Sequence, residues 1–144
     1  MTAEPTWFFW ALLSAVFAAL TAIFAKVGLE GVNSDLATLV RTAVIIVILA
    51  MFVFATGKWS NPLELSGKTW LFLVLSGLAT GASWVCYFRA LKIGDASKVA
   101  PVDKLSLLLV AIFAVIFLGE RPTPREWGGI LLVGAGVLVL GFRR

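Results

Sequence analysis

A carboxylate and an ammonium stand side by side in "KVAPVDKLSLLLVAIFAVIFLGE", residues 98–120, a stretch that otherwise reads as a membrane span. An ionisable group at mid-bilayer costs roughly 3 kcal/mol on insertion scales, so Asp103 and Lys104 are functional candidates by position alone. Asp103 can take up and release a proton, the chemistry of ion coupling, and Lys104 can hold an anionic group. Sequence neighbours differ by about 100° around a helix, so the two cannot stack as i,i+4 partners do, and each is expected to need another partner or water. Arg41 is the only other charge set well inside a span, which makes it the expected partner of Asp103. Pro101 removes an amide donor and biases Ala100 away from helix, so an unwound segment is predicted where the charges sit. Such backbone is tolerated at membrane depth where it lines a cavity.

Each candidate also has a plainer reading. The fourth span could begin near Leu105, leaving residues 96–104 as a loop with the charged pair at the interface. The 15 residues from Leu105 to Gly119 would then cross with little tilt. Arg41, six residues beyond Asp35, could snorkel to the near surface, and Arg89 is expected to do so. Trp84, Tyr87 and Phe88 have helical i, i+3, i+4 spacing, suited to one aromatic wall of a substrate cavity or to ordinary packing and lipid contact.

The elements that must position these residues follow from composition. The chain has 144 residues, 60% hydrophobic and 14% charged, with a mean hydropathy of +1.00. Such a chain cannot cover itself with polar surface, and it is read as an integral membrane protein. Pro5–Ala25 and Thr69–Phe88 are uncharged runs of about 20 residues, enough to cross ~30 Å of hydrocarbon. Leu36–Gly57 is interrupted only by Arg41, and Val99–Gly119 only by Asp103 and Lys104. Trp127–Phe142 is short, but Arg125 and Arg143 can carry their charges outward on flexible stems. The fold class is therefore an all-α integral membrane protein, a bundle of five transmembrane helices at about 6–27, 35–57, 68–92, 97–119 and 124–142, in one membrane domain over residues 1–144.

No Lys or Arg precedes the first apolar run and no small-residue cleavage site follows it, so that run is read as a retained helix rather than a signal peptide. Cys86 lies inside the third span, without a second cysteine to pair with in the chain. The net charge of +4 comes from basic residues scattered at span ends, which favours anionic lipid over nucleic acid as a partner. Gly28 and Gly31 can end the first helix, and Asn33 or Ser34 can cap the second. "GERPTPREW" predicts a helix start near Thr123, with Glu126 at capping-box spacing and Pro124 at the first helical position. Trp7, Trp10, Trp59, Trp70 and Trp127 fall near span ends and are read as interfacial anchors.

Five spans put the two termini on opposite sides of the membrane, so orientation should follow the Lys/Arg bias of the loops. The face of the N-terminus carries Lys58, Lys68, Arg121 and Arg125, four in all, against six on the other face: Lys26, Arg89, Lys92, Lys98, Arg143 and Arg144. A balance this even predicts insertion in both orientations. No internal repeat is visible, but two copies inserted oppositely would supply the halves of an inverted-repeat transporter.

"APVDKLSLLLVAIFAVIFLGERPTPREWGGILLVGAGVLVLG", residues 100–141, resembles the end of a repeat in the EamA branch of the drug/metabolite transporter superfamily. In that branch a helix ending in "LGE" leads through a Pro-rich turn into a Gly-rich final helix. "ALLSAVFAALTAIFAKVGLEGVNSDLATLVRT", residues 11–42, is similar to the first two helices of such a repeat. The resemblance implies a single-repeat member, where most relatives fuse two repeats into ten helices. It also invites comparison with the small multidrug resistance proteins, four-helix members that work as antiparallel dimers. "TAIFAKVGLEG" looks like the end of their first helix, with Lys26 at its terminal lysine. Their essential membrane carboxylate, eight positions earlier, falls on Ala18. Their dimerising last helix has two glycines seven apart, a spacing matched by Gly129 and Gly136.

Helices associate in lipid through close approach at small residues, and Gly129 and Gly136 lie two turns apart on one face. They are the candidate dimer interface, with Gly128, Gly134 and Gly141 broadening it and Val133 on another face. Gly77 and Gly81 form a GxxxG in the third span and are expected to pack within the protomer. No histidine, metal-ligand cluster, paired carboxylates or phosphate-cradling loop points to catalysis, so neither an enzyme nor a cofactor is expected. The reading is a secondary transporter of small metabolites or drugs in the cell inner (plasma) membrane, working as an antiparallel homodimer with alternating access. Asp103, Lys104, Arg41, Trp84 and Tyr87 are its candidate substrate or ion-coupling residues. The alternative is a non-transporting membrane subunit that requires a paralogous partner.

Overall fold

The computed structural model describes residues 6–141, so Pro5, Phe142, Arg143 and Arg144 lie outside the described residues. Helices run over Thr6–Gly28 (α1), Ser34–Ala55 (α2), Gly67–Ile93 (α3), Ala96–Asp103 (α4), Ser106–Phe113 (α5) and Pro124–Gly141 (α6). A 3-10 turn at Pro62–Glu64 precedes α3, and a π-type turn at Ala114–Leu118 prolongs α5. With α4, α5 and that turn counted as one fourth span, Ala96–Leu118, five described segments are long and apolar enough to cross a membrane. The protein is an all-α bundle of five membrane spans.

Capping residues set where the spans begin. The Asn33 Oδ1 accepts from the amides of Asp35 at 2.9 Å and Leu36 at 3.3 Å, starting α2. At α6 the Glu126 carboxylate accepts from the Thr123 amide at 2.6 Å while the Glu126 amide donates to the Thr123 hydroxyl at 3.3 Å, the reciprocal pair that the sequence predicts. Gly119 closes the fourth span at φ +68°, a left-handed position that glycine adopts without a steric penalty. The Glu120 amide there reaches back to the Ala114 carbonyl at 3.2 Å.

The chain forms two compact units, one joining residues 1–23 to 94–144 and the other covering 24–93. In the second unit α2 packs on α3 at one end, where Thr38, Phe88 and Leu91 are buried. From Lys68 to Ser83 every residue of α3 is exposed, and a Cβ built on Gly77 or Gly81 meets nothing. Those glycines therefore do not pack within the protomer as expected. Basic side chains tie the packed end together. Lys26 Nζ donates to the Leu91 carbonyl at 2.6 Å. Lys92 Nζ donates to the carbonyls of Leu29 and Val32. Carbonyls at helix C-termini lack intrahelical donors and carry the negative end of the dipole, which suits a cation. Arg89 reaches Asp35 in the first turn of α2 and grips it with two parallel hydrogen bonds of 2.9 and 2.8 Å.

In the first unit α6 packs against α4 and α5 through small residues. A Cβ on Gly134 would lie 2.6 Å from Leu108 Cδ1, and one on Gly141 would lie 3.9 Å from Val102 Cγ2. Gly134, buried in this contact, allows the fourth and fifth spans to touch and so does not extend an outer face. Gly128, Gly129 and Gly136 meet nothing.

Candidate functional site

The polar sites form where two helices depart from an ordinary apolar surface. In α2, Arg41 places its guanidinium 4.4 Å from the centroid of Trp84 and 5.3 Å from that of Phe88, both on α3. Phe88 is five residues from the end of α3 and Trp84 nine, so the guanidinium sits nearer the deeper ring. It does not snorkel toward the near surface, where Asp35 is already held by Arg89. Two aromatic faces, worth about 0.5–2 kcal/mol each, are comparable with the roughly 3 kcal/mol of placing the charge in a span. Tyr87 meets Phe88 edge-on at 6.4 Å, and Trp84 and Phe88 hold Arg41.

The second departure is the break in the fourth span. Residues 96–103 are helical, so the loop alternative does not hold, but the chain does not unwind at Pro101 either. It tightens. The amides of Lys104, Leu105, Leu107 and Leu108 bond three residues back, at 2.9–3.1 Å. Pro101 offers no amide to continue the wider pattern, and the break falls at Lys104–Leu105 just beyond it. This turn brings Lys104 Nζ to 3.5 Å from Asp103 Oδ2, with both side chains partly exposed. Asp103 thus has an ion pair in its own neighbour.

At the far end of the fourth span the π-type turn opens a recess of about 790 Å³. Ala111, Ala114 and Gly129 leave its floor low, Trp7 and Val133 line its sides, and Glu120, Arg121 and Glu126 stand at its rim. Trp7 is therefore more than an anchor, and Val133 shares this recess with Gly129 instead of lying on a separate face. Small residues at i, i+3 in one span opposite a glycine in the next were the available signal, and the apolar run concealed it. Gly136, two turns on from Gly129, stands beside exposed Leu132 and Val139.

Comparison with known proteins places this arrangement. The EamA-like transporter family matches residues 5–142. The chain belongs to that family. It is 62% identical over 137 residues to a Sinorhizobium sp protein described as an uncharacterized transporter in the cobO 3' region, a match covering 95% of this chain and 97% of the relative. It is 26% identical to the uncharacterized transporter YxxF of Bacillus subtilis (strain 168) and 29% identical to solute carrier family 35 member G1 of Homo sapiens, each over 136 residues. Those two matches take in 94% of this chain but only 42% and 37% of the longer proteins. No solved structure matches significantly. EamA membership and five spans make this a multi-pass membrane protein of a transporter family, and they point away from an enzyme.

Proposed function

We propose that this EamA-like chain is a secondary transporter of small metabolites or drugs in the cell inner membrane, working as an antiparallel, dual-topology homodimer with alternating access. The observation that carries the reading is the match over 97% of a relative described as a transporter. Two other relatives are each more than twice as long as the segment that matches this chain. A longer relative can hold two repeats in one molecule, and an oppositely inserted copy of this chain would supply the same pairing. Five spans per copy make an oppositely inserted copy the natural complement. Gly129 and Gly136, where a Cβ would meet nothing within 4 Å among the described residues, supply a surface on which two backbones can meet.

In this transporter Asp103 carries the coupled proton, and the tightened turn at Lys104–Leu105 is where the fourth span flexes between outward- and inward-facing states. Lys104 holds the carboxylate between proton transfers. Arg41, Trp84 and Tyr87 contact the substrate. The test is flux of a metabolite library into proteoliposomes containing the purified chain alone. Substrate movement by that preparation supports the homodimer. Movement only after a paralogous chain is added replaces it with the partner-dependent subunit.

A further inference from the structure

We propose that the substrate carries an anionic group, carboxylate or phosphate, on an apolar or aromatic body, with Arg41 binding the anion and Trp84 the body. The inference rests on the transporter reading and names its substrate class. Arg41 begins from an unusual position: it lies about 10 Å along α2 from Ser34, at 1.5 Å per residue, within a segment apolar enough to cross a membrane. Its guanidinium carbon lies over the ring of Trp84 at 4.4 Å and over that of Phe88 at 5.3 Å. Among the described residues no carboxylate, carbonyl or hydroxyl accepts a hydrogen bond from it. The nearest carboxylate along α2, Asp35, is engaged by both Nε and NH2 of Arg89. The hydroxyls of Thr38 and Thr42 are turned back on their own helix, donating to the carbonyls of Ser34 and Thr38 at 2.8 Å.

A guanidinium held over two aromatic rings, with no acceptor among the described residues, presents a fork of N–H donors. That fork matches the two oxygens of a carboxylate or phosphate, a geometry that lysine cannot reproduce. Stacking fixes the fork in advance, so little side-chain entropy remains to be lost on binding. Trp84 is only half-buried, so part of its ring remains available to a flat or apolar substrate body. A cationic solute would be repelled at the same spot. An anionic lipid headgroup shares the anion's chemistry, but headgroups sit at the surface, and the net charge of the bilayer separates the two sources.

The experiment is equilibrium binding of labelled benzoate and phenyl phosphate, with benzamide and benzylamine as the neutral and cationic isosteres. The full chain is measured in nanodiscs of phosphatidylcholine and again with phosphatidylglycerol added. In the neutral lipid the wild type should prefer the anions by about tenfold or more, the range expected for charge-assisted hydrogen bonds. Arg41→Gln should bring the ratio near one, and Arg41→Lys should fall between. Trp84→Ala should weaken all four probes and narrow the ratio only in part, since Phe88 still holds the guanidinium, whereas Arg41→Gln should remove the ratio with little effect on the neutral probe. Loss of the preference when phosphatidylglycerol is added assigns the fork to lipid and overturns the proposal. So does a wild type without charge preference, or a preference that survives Arg41→Gln. Binding needs no flux: a chain that binds anions but moves nothing sinks the transporter reading alone, and one that moves cations independently of Arg41 sinks this proposal alone.

Discussion

Gly134 lies under Leu108 so closely that a Cβ on it would come within 2.6 Å of Leu108 Cδ1, whereas the same atom on Gly136 would meet nothing. Two glycines one residue pair apart on α6 therefore answer to different partners, and substitution should separate folding from assembly. Gly134→Leu overfills the contact between α5 and α6 and should lower protomer stability by about 1–3 kcal/mol, read as thermal unfolding in detergent. Gly129→Leu or Gly136→Leu should leave unfolding near wild type but suppress the cross-linked dimer in native membranes, by holding two backbones apart. Leu131, about 140° around the helix from Gly136, is the control position. Val133 cannot serve, because it lines the recess beside Gly129. An undisturbed dimer with both bulky substitutions moves the interface off α6.

Asp103→Asn should abolish the dependence of substrate movement on a pH gradient while leaving the chain folded and assembled. The pair it breaks is partly exposed and 3.5 Å apart, so the loss of stability should stay within about 1 kcal/mol. Initial rates into proteoliposomes, with and without an imposed gradient, check the first statement, and size-exclusion chromatography checks the second. Gradient-driven uptake that persists in the variant ends the assignment of Asp103.

Lys92 and Lys98 look alike in the sequence, but they should respond differently to neutralisation. Lys92 Nζ donates to two carbonyls in the connection between α1 and α2. Its replacement by Met should therefore lower stability by about 1–3 kcal/mol. Lys98 reaches only Asp95, three residues away on the surface, and Lys98→Gln should leave the unfolding transition in place. Equal effects from the two would mean that the lysine–carbonyl ties contribute nothing.

Hydropathy and capping chemistry act locally, which is why the five spans, the Asn33 cap and the Thr123–Glu126 box could be read from the residues themselves. Asp103, Lys104 and Arg41 also stood out, since a charge inside an apolar run is visible without a structure. Their partners did not. Whether Arg41 meets a carboxylate or an aromatic face depends on how α2 and α3 lie against each other, and Trp84 and Phe88 are more than forty positions away. Glycines were misassigned for the same reason. A small residue signals close approach to something, but only packing shows that Gly134 approaches Leu108 while a Cβ on Gly77 or Gly81 meets nothing within 4 Å among the described residues. The recess beside the π-type turn escaped because its floor is built from alanines, which carry no chemical signal of their own.

Both orientations of the chain should coexist in the membrane. An odd number of spans means that two copies inserted in the same sense cannot reproduce an inverted repeat. The Lys/Arg totals of four and six on the two faces give the inserting chain little reason to prefer one sense. Reporters active only in the cytoplasm and only outside, each fused to the C-terminus, should therefore both give signal. Two lysines added beside Lys58 should drive the N-terminus inside. Lys98→Gln should push the same way without disturbing the carbonyl contacts of Lys92, so it is the cleaner of the two neutralisations. Each fixed form alone should lose transport, and co-expression of oppositely fixed forms should restore it. A wild-type chain found entirely in one orientation, yet fully active by itself, rules out the antiparallel homodimer and leaves a parallel assembly or a different partner.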